Sequence, residues 1–146
     1  MADLSDKKIN KAYNDMRSRS DESDTNWLLL DFEDERSDKL ILTATGSGGL
    51  TELKELLDDN NASFAYVRVS YSNDKESQRE KFIIVKWIGE NCGVMRRAKL
   101  SVQAADVKRV LPVFSIEVTA VEKNDLNEEN IVKRLRNAGG ASYDGV

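Results

Sequence analysis

Lys81-Phe82-Ile83-Ile84-Val85-Lys86-Trp87-Ile88, then Gly89-Glu90-Asn91-Cys92-Gly93, then Val94-Met95-Arg96-Arg97-Ala98-Lys99: this is the stretch on which the reading of the chain turns. An apolar run of strand length ends at a glycine-bounded break, and beyond it a basic cluster opens a long helix. Between Arg79 and Lys99 six basic residues face two acidic ones, a local charge of +4 in a chain whose net charge is −4, so the remainder carries −8. Such a contrast argues for docking an acidic partner at one place.

Toward the C-terminus, the helix opening at Val94 carries two apolar stripes out of phase. Val94, Ala98, Val102 and Ala105 keep one face, whereas Val107, Val110, Leu111 and Phe114 keep another. A kink or break near Ala104 to Asp106 would reconcile them, and Pro112 ends the helix. Ser115 to Val121 predicts a strand. The last helix is the best marked: Asn127 caps it and Leu126 staples to Ile131. Glu128 and Glu129 occupy its first turn and Lys133, Arg134 and Arg136 its end, with Gly139-Gly140 as the stop. Residues 4–137 are expected as the domain and 138–146 as a flexible tail.

Toward the N-terminus, the strand at 80–88 is preceded by a polar turn, Ser72 to Ser77, and by a strand rich in aromatic and β-branched residues, Ala62 to Tyr71. Gly46-Ser47-Gly48-Gly49 punctuates the chain before a short amphipathic helix bearing Leu50, Leu53, Leu56 and Leu57. Trp27 to Phe32 and Lys39 to Thr45 pair as a hairpin across a charged turn, and Arg17 to Asn26 reads as a polar loop. Ile9, Ala12, Tyr13 and Met16 form the stripe of a first helix, with Ser5 as its N-cap. The order α-ββ-α-ββ-α-β-α implies an α/β (α+β) fold, a central mixed five-stranded sheet flanked by helices on both faces.

A chain of 146 residues reads as one domain. Its single cysteine, Cys92, forbids an intrachain disulfide and fits a reducing, cytoplasmic setting. The absence of histidine removes Ser-His and Cys-His nucleophile pairs, His-ligated metals and imidazole acid-base catalysis. No apolar run reaches the roughly 18 residues of a membrane span, and the first residues lack a signal-peptide core.

This order, with the segments Trp87-Ile88-Gly89-Glu90-Asn91, Arg97-Ala98-Lys99 and Ala138-Gly139-Gly140-Ala141-Ser142-Tyr143-Asp144, resembles the actin-depolymerising-factor/cofilin homology family over essentially the whole chain. The resemblance implies a monomeric, non-enzymatic protein of the cytoplasm and cytoskeleton, without cofactor or metal, that binds the side of actin filaments. It implies that the long helix approaches actin. Lys81 matches a basic residue that members use for filament contact, Arg79 lies just before it, and Arg97 and Lys99 match the basic start of the long helix. Severing members carry a mobile N-terminal segment with a regulatory serine followed by Gly-Val, where this chain has Met1-Ala2-Asp3-Leu4. Met95 stands near a site where they place a basic residue. Both departures imply side-binding without strong severing, through an actin-binding set of Arg79, Lys81, Met95, Arg96, Arg97 and Lys99.

Plainer readings stand beside these. Arg96, Arg97 and Lys99 could be an ordinary solvated helix surface, although cations at a helix N-terminus oppose its dipole. Arg79 and Lys81 share a strand face and could protect a sheet edge. Cys92 reads as an inert thiol, the Gly46–Gly49 stretch lacks the ending of a phosphate loop, and Trp27 and Trp87 read as core. Asp58-Asp59 and Glu128-Glu129 are adjacent helical pairs, which do not share a face as an acid-base couple would. Rival functions are a monomer-binding or severing relative, and a regulatory adaptor that uses the same basic patch for a small GTPase, another signalling protein or anionic lipid. The acidic total disfavours nucleic acid.

Overall fold

The computed structural model describes residues 2–18, 24–72 and 78–144, with side chains as far as 138. Its elements are α1 (Lys7–Ser18), β1 (Trp27–Phe32), β2 (Leu40–Gly46), α2 (Gly49–Leu56), β3 (Ala62–Ser72), β4 (Gln78–Ile88), α3 (Val94–Val110), β5 (Ile116–Ala120), a 3-10 turn (Lys123–Leu126) and α4 (Glu128–Asp144). The expected turn between β3 and β4 falls largely on 73–77, and part of the loop after α1 on 19–23, both outside the described residues.

The five strands form one sheet in the order β2-β1-β3-β4-β5. The first four pair antiparallel and β5 runs parallel to β4, so the sheet is mixed as expected. Side-chain alternation divides its apolar residues between two cores. Trp27, Val67, Ile83, Val85 and Trp87 pack on one face against Leu50 and Leu53 of α2 and Ile131 and Leu135 of α4. Leu28, Leu30, Phe64, Tyr66 and Ile84 pack on the other against Ile9, Tyr13 and Met16 of α1 and Leu100, Ala104 and Val107 of α3.

Several local expectations are corrected. The cap of α1 is Asp6, not Ser5: its Oδ1 accepts from the Lys8 N–H at 3.0 Å, and its Oδ2 accepts from the Leu42 N–H at 3.1 Å. A carboxylate supplies two acceptors there, tying helix start to sheet edge, where a serine would supply one oxygen. Leu56 is 49% exposed, because α2 ends there and Leu57, at its C-cap, turns into the core instead. The helix opening at Val94 has no break: α3 is continuous to Val110. Leu100, Ala104, Val107 and the following Leu111 make one regular buried stripe, so the out-of-phase stripe needs no kink; it faces solvent. Finally, α4 does not stop at Gly139-Gly140 but runs to Asp144. Glycine costs about 1 kcal/mol in a helix relative to alanine, which weakens a helix without ending it. Positions 145–146 of the expected tail lie outside the described residues.

The start of α4 is as read: Asn127 Oδ1 accepts from the Asn130 N–H at 3.2 Å, and Leu126 and Ile131 lie buried in one cluster.

Candidate docking site

The position of α3 is set by the Trp87-Ile88-Gly89-Glu90-Asn91 turn. The Trp87 indole N–H donates to the Asp58 carbonyl at 2.8 Å, and the Asn91 N–H to the Asp59 carbonyl at 2.8 Å. Gly89 lies so close to this neighbour that a Cβ would come within 2.3 Å of the Asp59 oxygen. The turn therefore locks onto the connection between α2 and β3, and α3 begins immediately after it. At its other end, the Tyr66 hydroxyl donates to the Val113 carbonyl and the Val113 N–H donates to the Tyr13 hydroxyl at 3.1 Å. Burial pushes the Tyr66 hydroxyl pKa up, which keeps it a donor.

Between these anchors α3 turns Val94, Met95, Ala98, Val102 and Ala105 outward. Val94 is 81% exposed, Met95 75% and Val102 62%, an apolar strip at helical spacing. Exposed apolar residues scattered singly need no explanation, but a strip along one helix face makes a candidate interaction site.

The basic residues at its head are not equivalent. Arg96 turns inward: its guanidinium lies 3.7 Å over the Phe32 ring and donates to the carbonyls of Ser37 at 2.9 Å, Asp34 at 3.0 Å and Glu35 at 2.8 Å. With its side chain 12% exposed, it clamps the β1–β2 connection to α3. Arg97 is exposed and reaches back to the Gly89 and Glu90 carbonyls at 3.3 and 3.2 Å. Lys99 pairs with Asp38 at 3.6 Å and stays half-exposed.

Arg79 and Lys81 lie elsewhere. They stand opposite Tyr71 and Val69 on β3, and alternation places them on the sheet face of Ile83, the face covered by α2 and α4. Arg136 of α4 is their neighbour there, over the Tyr71 ring and donating to the Ser72 carbonyl. The seven steps from Lys81 to Ile88 span roughly 23 Å of strand. The residues expected in one basic patch therefore occupy two surfaces, and only Met95, Arg97 and Lys99 join the apolar strip.

Two features of this region escaped the sequence reading. One is Val102 with Ala105 as surface, although the phase of their stripe carried that signal. The other is the anchoring of the N-terminus: the Ala2 N–H donates to Asp106 Oδ2 on α3 at 2.8 Å, the Asp3 N–H to the Asp38 carbonyl at 2.9 Å and the Leu40 N–H to the Asp3 carbonyl at 2.8 Å. The Ala2 N–H and the Arg109 guanidinium hold the Asp106 carboxyl below the usual range, against the opposing effect of burial. No local pattern in sequence pairs residues so far apart.

A groove of about 800 Å³ opens beside the head of α3, lined by Asp31, Glu33, Asp34 and Glu35 with Phe32 and Met95. Among the described residues no cluster of carboxylates and Cys92 could hold a metal ion, and no helix is long and apolar enough to cross a membrane.

Residues 1–136 match the model of a family described as cofilin/tropomyosin-type actin-binding protein. Coactosin of Dictyostelium discoideum is 39% identical over 99% of this chain and 97% of its own length. Among solved structures, coactosin from Entamoeba histolytica superposes with a TM-score of 0.83 at 30% identity, covering 95% of this chain and 97% of that one. Mouse coactosin, described as an actin filament binding protein, superposes with a TM-score of 0.76 at 28% identity, covering 99% and 96%. An exposed apolar strip agrees with a family described as actin-binding, and the chain belongs to these cofilin/tropomyosin-type actin-binding proteins, and within them to the coactosins.

Proposed function

We propose that the protein binds the side of actin filaments as a monomer, without strong severing, and so regulates the actin cytoskeleton from the cytoplasm. The observation that carries this is the outward strip Val94, Met95, Ala98, Val102 and Ala105, rimmed by Arg97 and Lys99. An apolar centre with a charged rim is the anatomy of a protein interface, in which burial supplies affinity and charge steers encounter. Lys81 offers a second contact from the other sheet face, so the molecule would engage a filament through two separated surfaces. The description of the mouse relative as a filament binder supports the same partner.

The N-terminus favours holding over cutting. Ala2 and Asp3 are bonded to this molecule's own α3 and β2, which leaves them engaged rather than available to wedge between subunits. Monomeric action fits the edge of the sheet, where Asp3 and Asp6 accept the Leu40 and Leu42 N–H groups that a second copy would need.

Co-sedimentation with filaments, run beside filament imaging, tests the reading. The parent should pellet with filaments and leave them long, and Val102→Asp should bind at least about tenfold more weakly with an unchanged melting temperature. A parent that stays in the supernatant would point to the adaptor alternative, and rapid fragmentation at sub-stoichiometric protein to a severing factor.

A further inference from the structure

Sulfur is distributed unevenly through the described residues. Met16 of α1 is fully buried, and Cys92 is 8% exposed, its Sγ 3.7 Å from the Gly93 carbonyl and its side chain packed in the α1/α3 core. Met95 is 75% exposed and heads the apolar strip of α3. The thiol, ordinarily the more reactive sulfur, is thus shielded, while the thioether stands in water where a partner would cover it.

We propose that Met95 is an oxidation-sensitive contact: hydrogen peroxide converts its thioether to the sulfoxide, and the oxidised protein releases actin filaments. The inference rests on the filament-binding reading and adds its regulation. In the reaction a sulfur lone pair attacks one peroxide oxygen, the O–O bond breaks, an S–O bond forms, and proton transfer releases water. Sulfur loses two electrons and the peroxide gains them. The product carries a strong acceptor oxygen at the head of a strip whose Ala98 and Val102 are exposed and apolar; Arg36, Arg96 and Lys99 share its groove, but Arg96 is already engaged with three carbonyls and Lys99 with Asp38. Covering that oxygen without a donor opposes the burial that the thioether favours.

The test exposes the purified protein to increasing peroxide, removes the oxidant, and measures oxygen uptake by peptide mass and binding by co-sedimentation with untreated filaments. Met95 should gain one oxygen before Met16. Filament affinity should fall about fivefold, and methionine sulfoxide reductase should restore it. Cys92→Ser should keep the response. Met95→Leu, whatever its own affinity, should bind equally before and after peroxide. Undiminished binding by protein fully oxidised at Met95, or an equal peroxide response in Met95→Leu, would overturn this inference alone. A parent that never pellets would overturn the filament reading and this inference with it.

Discussion

The head of α3 and the far end of β4 are both basic in sequence and unlike in structure. At the head of α3 the cations are largely spoken for: Arg96 by three carbonyls and the Phe32 ring, Arg97 by two carbonyls, Lys99 by Asp38. At the far end of β4, Lys81 is half-buried and has no ion-pair partner among the described residues. A charge engaged within the fold contributes stability and offers less to a partner than an unpaired one does. The charge surplus of the stretch 79–99 thus divides into charge that holds the molecule together and charge available for docking.

The largest test of that division is Arg96→Ala. It removes three charge-assisted hydrogen bonds and a cation–π contact at a nearly buried side chain, with an expected loss of about 2–4 kcal/mol. For a domain of this size that is a fall in melting temperature of roughly 6–12 °C. Arg96→Lys should recover only part of it, since an ammonium cannot fan to three carbonyls while stacked on a ring. A melting temperature equal to the parent's would erase the distinction drawn between Arg96 and Lys81.

Lys81→Glu should behave oppositely. Filament affinity is expected to drop at least about tenfold, the cost of reversing a steering charge at a contact. Its melting temperature should stay within about 2 °C, because the change breaks no ion pair among the described residues. A folded variant that pellets like the parent would remove the far end of β4 from the interface and leave α3 alone.

The rim residues come next. Arg97→Glu and Lys99→Glu should each weaken filament binding by about two- to fivefold and lessen its salt sensitivity, because exposed charges are screened over about 8 Å at physiological ionic strength. The co-sedimentation curve across a salt series is the measurement. Affinity indifferent to salt in the parent would make the interface mainly apolar.

The order of elements, the mixed sheet with helices on both faces and the capped start of α4 were legible because they rest on local periodicity: alternation in β4, and the staple of Leu126 on Ile131. The Trp87–Asn91 turn was legible as a motif, although its reason, Gly89 against the Asp59 carbonyl, was not. What sequence hid was partnership across distance. Arg96 and Arg97 are neighbours with the same charge, and only the position of the β1–β2 connection decides that one is clamped and the other exposed. The stripe Val94 to Ala105 had the right phase, but apolar periodicity alone cannot say whether a face meets a core or solvent; that misreading produced the expected kink. Lys81 and Lys99 looked adjacent because strand and helix are consecutive in sequence, while the sheet lies between their faces.

The smallest expected effect concerns the inner flank of α3, where charge should be coupled to folding. Asp106 accepts from the Ala2 N–H and Arg109, and its carboxyl lies below the ordinary range. Asp3 and Asp6 are lowered too, Asp3 chiefly by hydrogen bonds from Ser5 and Asp6 by the Leu42 and Lys8 amides. A carboxylate whose folded pKa is depressed contributes stability that is fully present above its unfolded value, about 3.9, and is lost as pH falls through the folded value. The parent should therefore lose stability as pH drops below about 4. Asp106→Asn should melt below the parent at neutral pH, because the amide cannot reproduce the pairing with Arg109, and the gap between the two should close in acid as Asp106 protonates. Asp3 and Asp6 titrate in both proteins, so the gap isolates Asp106. Melting curves of the pair across an acid series measure it, with Lys81→Glu as the reference whose gap to the parent should stay small throughout. A gap for Asp106→Asn that persists undiminished below the folded value would show that shape rather than charge secures the N-terminus to α3.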